Sequence, residues 1–325
     1  MAQMSSPDLL EDEQKPRLEN AEALRVRPQR SLWGNAWRQF RHHTFAMAGL
    51  IVFIFFVLLC FVGPLVYNEL YFSPFKYTTS LTPGQEGRIL GTDSMGQDML
   101  ARILFGGRVS LSVGIVAATI AIVVGTLIGA AAGFFGGLTD SILMRLTDLF
   151  LSLPSLPLLL LITFLFKQSM QNFADRVFGA AQIGTFLLIV GVIGMLAWMP
   201  TARLVRASFL SMKEKEFVEA ATSIGAKRNS LIFKHILPNV MSPIIVAATL
   251  EVGSAIITES SLSFLGLGFP YDVPTWGAML FNAKDLLQFS PHEAVIPGTM
   301  IFLTVLSINF IGDGLRDALD PRKTS

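Results

Sequence analysis

The chain has 325 residues, of which 52% are hydrophobic and only 15% are charged, and its mean hydropathy is +0.55. Soluble domains carry about 25% charged residues, so this composition excludes an ordinary soluble protein and predicts a membrane protein. The net charge of +1 provides no strong field for nucleic acid. The single Cys60 excludes an internal disulfide and a cysteine metal cluster.

The first 44 residues differ from the rest of the chain because they are polar and rich in charge. Up to about Arg30 they show no helical period, and they are too long and too acidic to begin a signal peptide. No small-residue cleavage site follows the first apolar run. We therefore interpret residues 1–44 as a partly disordered cytoplasmic tail that leads into an uncleaved first span.

Six apolar stretches are long enough to cross a membrane, which takes about 20 mostly apolar residues in a helix. The third of them contains Pro154 and Pro157, which membrane helices tolerate where neighbouring groups satisfy the freed backbone. The pattern predicts an all-α membrane protein with six transmembrane helices. These helices are predicted at residues 45–66, 109–135, 149–166, 183–199, 240–268 and 294–312.

The lysines and arginines between the spans predict the orientation. With both termini inside the cell, 18 of the 25 basic residues lie in cytoplasmic segments and 7 lie in outer loops. This N-in, C-in arrangement places the segment between spans four and five in the cytoplasm. The predicted N-terminal tail covers residues 1–44, the first span 45–66 and a periplasmic loop 67–108. A five-helix core follows at 109–312 and includes a cytoplasmic loop at 200–238. The C-terminal tail covers residues 313–325.

The second span contains Gly125, Gly129 and Gly133, each four residues from the next. This spacing lets helix backbones approach closely in lipid. It predicts ordinary internal packing and a position for this helix inside the bundle.

Two carboxylates, Glu251 and Glu259, interrupt the fifth span. A buried charge in a membrane costs several kcal/mol unless it is paired or wetted. One interpretation is that the two side chains share roughly one face and line a water-filled path. The other is that each is interfacial or has a structural partner, and the sequence leaves both open.

Other charges lie at the predicted ends of spans. Arg145 and Asp148 are three residues apart, with Asp140 before them, which predicts a local ion pair or an end anchor, with a gating contact as the alternative. Asp313 and Arg316 predict a solvated helix end, with contact to a partner protein as the alternative.

The cytoplasmic segment EFVEAATSIGAKRNSLIFKHILPN, residues 216–239, is charged and amphipathic. Phe217, Ala221 and Ile224 form one narrow apolar face at helical spacing. Gly225 is placed to end this first helix, and Pro238 is placed to stop a second run before span five.

Amphipathicity alone leaves two interpretations of this segment. One is a helix that lies on lipid headgroups. The other is a short helix pair that docks into a groove on a soluble partner, which the small Ala220 and Ala221 beside a lone glycine favour.

The chain lacks the sequence motifs of common catalytic sites. It has no Gly-x-x-x-x-Gly-Lys-Ser/Thr loop for nucleotide phosphates, no His-Glu-x-x-His and no Gly-x-Ser-x-Gly. The sequence therefore predicts no catalytic residues, no metal site and no cofactor in this chain.

The stretch EAATSIGAKRNSLIFKHILPN resembles the EAA loop of bacterial ABC-importer permeases. The family pattern consists of Glu-Ala-Ala, three further residues, a Gly and a final Leu-Pro. This chain matches that pattern, and it has His235 where many members have Ile. In that family the loop forms a coupling helix that seats in an ATPase subunit. The resemblance assigns this role to Phe217, Glu219, Ala220, Ala221, Gly225 and Ala226.

Further motifs resemble the C-type permease subunit of dipeptide and oligopeptide importers. They include GTDSMGQDMLARILFGGRVSL at 91–111, SLSFLGLGFPYDVPTWGAML at 261–280 and NFIGDGLRDALDP at 309–321. Gln97 replaces the usual Arg of Gly-Thr-Asp-x-x-Gly-Arg-Asp, so a role for that Arg does not transfer. The resemblance covers about residues 45–321.

The resemblance implies a type I ABC-importer permease fold in the bacterial inner membrane. It implies half of a translocation path for peptides in a heterodimer with a homologous second permease, surrounded by membrane lipid. Two ATPase subunits would carry ATP and Mg, and a periplasmic binding protein would deliver the substrate, with no nucleic acid involved. The alternatives are an ion-gradient-driven secondary transporter that uses Glu251 and a non-transporting membrane scaffold. The residues do not distinguish dipeptides from longer peptides, nickel chelates or other solutes.

Overall fold

The structure is a computed structural model and describes residues 32–67, 70 and 72–320. The predicted disorder of the tail up to residue 31 and the last five residues lie outside this range. Within it the chain is helical without strands, with one isolated bridge between Thr92 and Asp98. The helices are α1 Leu32–His42, α2 Thr44–Val66, α3 Met99–Phe135, α4 Gly137–Ser152, α5 Ser155–Phe178, α6 Ala181–Leu196, α7 Trp198–Lys213, α8 Glu216–Ser223, α9 Met241–Phe264, α10 Trp276–Ala283 and α11 His292–Ala318, with one α-helical turn at Arg228–Ser230 between α8 and α9.

Four tighter or wider turns complete the helical segments that the structure describes. Short 3₁₀ turns occur at Gln85–Gly87, Leu237–Val240 and Lys284–Leu286, and a π-helical turn spans Leu231–Ile236. Four helical stretches, including 228–264 as one, are long and apolar enough to cross a membrane, and two bent pairs raise the number to as many as six.

The third predicted span, at 149–166, is not a single helix. Helix α4 ends at Ser152, α5 begins at Ser155, and the two axes differ by 85°. Leu153 between them has an extended backbone, with φ −82° and ψ 136°. The break has a local cause, because Pro154 lacks an N–H and disfavours the helical conformation of the residue before it.

Helix α3 is the centre of the bundle and packs against α2, α6, α7 and α9. Asp98 caps its N-terminus, where the Asp98 Oδ1 accepts the backbone N–H of Ala101 at 2.8 Å. Its 37 residues correspond to roughly 55 Å at 1.5 Å per residue. Since the hydrocarbon core is about 30 Å thick, α3 extends well beyond it.

The glycines of α3 bring its backbone against α7. A Cβ atom on Gly125 would lie 2.7 Å from the Trp198 carbonyl oxygen, and one on Gly133 would lie 2.6 Å from the Phe209 Cβ. The predicted internal packing of this glycine face is therefore confirmed. Close approach of two backbones in lipid increases van der Waals contact, which drives helix association there.

We predict that Gly129→Ala lowers the melting temperature of the purified protein in detergent. A Cβ at this position would lie 2.8 Å from the Val205 Cβ, and overpacking of this kind costs about 1–3 kcal/mol. The matched control is Gly191→Ala in α6, where a Cβ would meet nothing within 4 Å. The control keeps or raises the melting temperature, because alanine favours helix by about 1 kcal/mol over glycine. Equal melting temperatures for both variants would contradict the packing argument.

Candidate functional site

Helix α8 is a short surface helix with well-defined ends. Glu216 and Glu219 lie in its first turn, where acidic side chains interact favourably with the helix dipole. At its other end Gly225 has φ +86°, a left-handed conformation that glycine adopts without a steric penalty. The Gly225 N–H donates to the Thr222 carbonyl and the Ala226 N–H donates to the Ala221 carbonyl, both at 3.0 Å. These two bonds form a Schellman motif, so the predicted helix end at Gly225 is confirmed.

The residues that α8 buries are not the ones that the sequence predicted. Val218 and Ala221 are buried, at 3% and 6% exposure, in a cluster with Phe209 of α7. Phe217 and Ile224 are exposed instead, at 42% and 87%. The prediction of a common face for Phe217, Ala221 and Ile224 is therefore wrong. The helix is only eight residues long, and the i, i+3 pair formed by Val218 and Ala221 anchors it.

Four of the six residues assigned to the coupling helix are exposed on α8 and on the turn that follows it. Phe217, Glu219, Ala220 and Gly225 are exposed, Ala226 is half-buried and Ala221 is buried. Helix α8 therefore presents acidic, small and apolar groups to the outside while Val218 and Ala221 hold it in place.

After the non-helical residues 224–227, the chain is helical again from Arg228 up to α9. After the turn at Arg228–Ser230, the Leu237 N–H donates to the Ile232 carbonyl, which is a π-helical bond. Such a wider turn is followed by a 3₁₀ turn that contains Pro238 and leads directly into α9. Pro238 thus changes the helix geometry and does not stop the run, contrary to the prediction.

Two arginines on α7 connect it to α4. Arg203 forms an ion pair with Asp148, and Arg206 forms one with Asp140 in which the Nη2 and Oδ2 atoms are 2.6 Å apart. The local ion pair predicted for Arg145 and Asp148 is therefore wrong, whereas the alternatives of an end anchor and a gating contact stay predictions, and Arg145 is exposed. The partners come from another helix, because α4 and α7 lie side by side only in the folded chain. The ion pairs join the helix that leads into α8 to the helix that bends at Leu153.

Glu251 lines an open cleft of about 440 Å³. The cleft lies where the two bent helix pairs meet α9, so Leu153 and Ala197 from the two bends line it together with Glu251. Ser254, Thr258 and Ser261 add hydroxyl groups to a lining that is otherwise mainly aliphatic. Glu251 has no hydrogen-bond or ion-pair partner among the residues that the structure describes.

Glu259 is separated from this cleft and has no solvent exposure. Its Oε1 accepts a hydrogen bond from the Ser263 hydroxyl at 2.7 Å, and its Oε2 accepts one from the Ser110 hydroxyl at 3.2 Å. The Ser110 oxygen also accepts the backbone N–H of Trp276 at 3.2 Å. Glu259 therefore connects α9 to α3 and, through Ser110, to the start of α10. The structure does not bring the two glutamates together on one exposed face.

A polar network lies at the N-terminal end of α3, and the sequence identified only Gln97 of it. Arg102, 1% exposed, forms a 3.4 Å ion pair with Asp93 and a hydrogen bond with Gln97. Its guanidinium lies over the Tyr271 ring, and the Tyr271 hydroxyl donates to Asp93 at 3.0 Å. Burial raises the pKa of the Tyr271 hydroxyl. Gln97, at the position of the usual Arg, is thus part of an internal connection between the 91–98 loop and the loop after α9.

Two family models cover most of the chain. The model described as "Binding-protein-dependent transport system inner membrane component" matches residues 125–325. This chain belongs to that family. The model described as "N-terminal TM domain of oligopeptide transport permease C" matches residues 31–83. This inner membrane component is therefore a permease subunit of an ABC importer, and it resides in the bacterial inner membrane.

Curated relatives of this permease span nearly its whole length. The oligopeptide transport system permease protein OppC of Haemophilus influenzae is 41% identical, with 90% of this chain and 89% of the relative covered. The dipeptide transport system permease protein DppC of Alkalihalophilus pseudofirmus is 38% identical, with 91% of each covered. The glutathione transport system permease protein GsiD of Pectobacterium atrosepticum is 36% identical, with 96% of this chain and 98% of the relative covered. The chain is thus similar to permeases of the C type.

A solved structure of the MetNI methionine ABC transporter matches 68% of the permease and 98% of the matched chain, with 16% sequence identity and a TM-score of 0.49. The family assignment rests on the two family models and on the curated relatives.

We predict that Glu259→Gln retains both folding and transport, whereas Glu259→Leu lowers the melting temperature. Glutamine has the same shape and keeps an oxygen that accepts a hydroxyl hydrogen bond. Leucine leaves the Ser110 and Ser263 hydroxyls buried without this partner, at a cost of about 1–3 kcal/mol. Melting temperatures in detergent and uptake in cells measure the two effects. Loss of transport in a stable Glu259→Gln variant would instead show that the charge itself serves the path.

Proposed function

We propose that this permease forms half of the translocation path of an ATP-driven peptide importer and docks an ATPase subunit through α8. The docking proposal rests on one observation, which is that α8 packs on α7 with one side and is exposed on the other. Val218 and Ala221 hold one side of it against α7, while Phe217, Glu219, Ala220 and Ile224 are exposed. Because α8 is held against α7 in this way, a displacement of α8 would be transmitted to α7.

The composition of the exposed surface favours a protein partner over a lipid surface. A helix that lies on lipid has a broad apolar face toward the bilayer and lysines or arginines on its polar face. In α8 the strongest apolar contacts already point inward, and its first turn has the acidic Glu216 and Glu219. Acidic groups are repelled by the anionic inner leaflet. Phe217 and Ile224 are apolar anchors of the type that concentrates binding energy at protein interfaces.

The energy source that we propose is ATP bound by other subunits. No phosphate-binding loop is present in the sequence, so ATP and Mg would bind to separate cytoplasmic subunits. The family description includes dependence on a binding protein, which supports delivery of substrate from outside by a periplasmic protein. A homologous second permease would supply the other half of the path, and two ATPase subunits would drive it.

The proposed substrates are peptides. The relatives named for oligopeptide, dipeptide and glutathione transport share this chemical class, since glutathione is itself a short peptide. A cleft of about 440 Å³ has the size of pockets that accept small organic ligands. Glu251 provides the one carboxylate among its lining residues, where a peptide amino group could pass.

Docking through α8 is tested by Glu219→Arg, with Glu214→Arg as the matched control. Both residues are exposed glutamates of the same cytoplasmic segment, but Glu214 precedes the helix. We expect the Glu219 variant to lose most of its co-purifying ATPase and its uptake activity, while the control keeps both. Gly225→Pro should have the same effect as Glu219→Arg, because it removes the N–H that bonds to Thr222. Normal ATPase retention in both Glu219→Arg and Gly225→Pro would refute the docking role.

The role of Glu251 is tested by Glu251→Gln, which keeps the shape of the side chain and removes its charge. We expect peptide uptake to fall on the order of tenfold, the loss of roughly one charge-assisted hydrogen bond, while the ATPase still co-purifies. Glu214→Gln, away from the cleft, is the control. Uptake that survives ATP depletion and stops with an uncoupler would instead favour a secondary transporter with Glu251 as its ion site.

A further inference from the structure

Helix α1 is a separate short helix directly before the first apolar span. His43 separates it from α2, with φ −84° and ψ 98°, and its Nδ1 accepts the Ala46 N–H at 3.1 Å. The chain therefore changes direction within one residue and enters α2 at Thr44. Because α2 is the most hydropathic candidate span, this places α1 at the boundary between the hydrocarbon and the aqueous phase.

Helix α1 is fixed to the body of the protein. Phe40, 4% exposed, and Ala46, 0% exposed, pack in one cluster with Ile311 and Ala318 of α11. Gly314 allows this contact, since a Cβ there would lie 3.1 Å from the Phe40 ring. The Gln39 amide also donates to the Asp317 carbonyl at 2.8 Å. These contacts define the face of α1 that packs against the protein, and the opposite face is directed away from it.

The outward side of α1 is basic and has an aromatic border. Arg38, Arg41 and His42 are exposed, and neither guanidinium has an acidic partner in the part of the chain that the structure describes. At 100° per residue Trp37 lies between the Phe40 side and the arginine side. It is 54% exposed and stacks on Phe40 with ring centroids 5.9 Å apart.

The surrounding sequence strengthens this charge. Residues 23–68 contain no Asp or Glu, and the first part of this stretch has arginines at 25, 27, 30, 38 and 41. Helix α1 itself has no acidic residue in its first turn and has Arg41 and His42 in its last. The sequence that leads into the first apolar span is therefore basic, and in the structure the Asp317 carboxylate of α11 lies 4.0 Å from the His43 imidazole, at the junction of α1 and α2.

We propose that α1 binds anionic phospholipid headgroups of the inner membrane through Arg38 and Arg41, with Trp37 at the interfacial level. Arg41 is three residues and Arg38 six residues before the span, so both lie within roughly 10 Å of its start at 1.5 Å per residue. Guanidinium groups bind phosphate oxygens in a bidentate way, and juxtamembrane basic groups are attracted to anionic lipid. Tryptophan is enriched at this depth because its ring is apolar with one N–H donor.

The charges of α1 and α8 point to different partners. The first turn of α8 is acidic, which disfavours anionic lipid, whereas the outward face of α1 has two exposed arginines and the exposed Trp37 ring. Binding of lipid by α1 is independent of the substrate and of the ATPase proposed above. Failure of either proposal leaves the other standing.

Native mass spectrometry of the full chain, purified in mild detergent with its associated subunits, tests this proposal. Phosphatidylglycerol and phosphatidylcholine are titrated in parallel into wild type, Arg38→Gln/Arg41→Gln and the control Arg145→Gln/Arg176→Gln. The control removes the same number of exposed charges from α4 and α5. We expect preferential binding of phosphatidylglycerol by wild type and control, and an apparent affinity on the order of tenfold weaker in the α1 variant.

Three results would overturn the proposal. The first is equal phosphatidylglycerol binding by both double variants, and the second is equal binding of the two lipids by wild type. The third is loss of a co-purifying soluble subunit from the α1 variant while its phosphatidylglycerol binding stays unchanged. This last result would assign the arginine face to a protein partner.

Discussion

The close packing of α3 against α7 is the contact on which the rest of this permease depends. Gly125, Gly129 and Gly133 place no side chain of α3 in this contact, so carbonyl oxygens and Cβ atoms of α7 lie close to the α3 backbone. Helix α7 in turn holds α8 through Phe209 and Val218, and it holds α4 through two arginines. Helix α8 is therefore connected to α3 through close packing and to α4 through the ion pairs of α7.

This arrangement connects the cytoplasmic surface to the cleft. The ion pairs on α4 lie on the same helix that ends at the 85° bend, and both helix bends line the cleft beside Glu251. Glu259 instead ties α9 to α3 and, through Ser110, to α10. Glu251 thus faces an open space and Glu259 links neighbouring helices of the bundle, although the two residues are only eight positions apart.

The two short helices at the predicted cytoplasmic side differ in the charge that each helix exposes, and the two proposed partners differ accordingly. Helices α1 and α8 are both amphipathic, and each buries one face against a longer helix. Exposed arginines and a border tryptophan suit a phosphate-rich lipid surface. Exposed glutamates with apolar anchors and a glycine turn suit a groove in a soluble protein. Amphipathicity alone does not separate these cases, so the proposals use the charges within each helix, which are acidic in α8 although the exposed Lys215, Lys227 and Arg228 flank it.

The sequence by itself determined the fold class, the family, the glycine face and the helix end at Gly225. These depend on local properties: apolar length, residue spacing and the backbone freedom of glycine. Only the tertiary structure decided the ion pairs, in which Asp140 pairs with Arg206 and Asp148 with Arg203. It also decided that Val218 anchors α8, and that Glu251 lines the cleft while Glu259 does not. Each of these depends on which helices become neighbours, and a linear pattern contains no information on contacts between residues 50 to 150 positions apart.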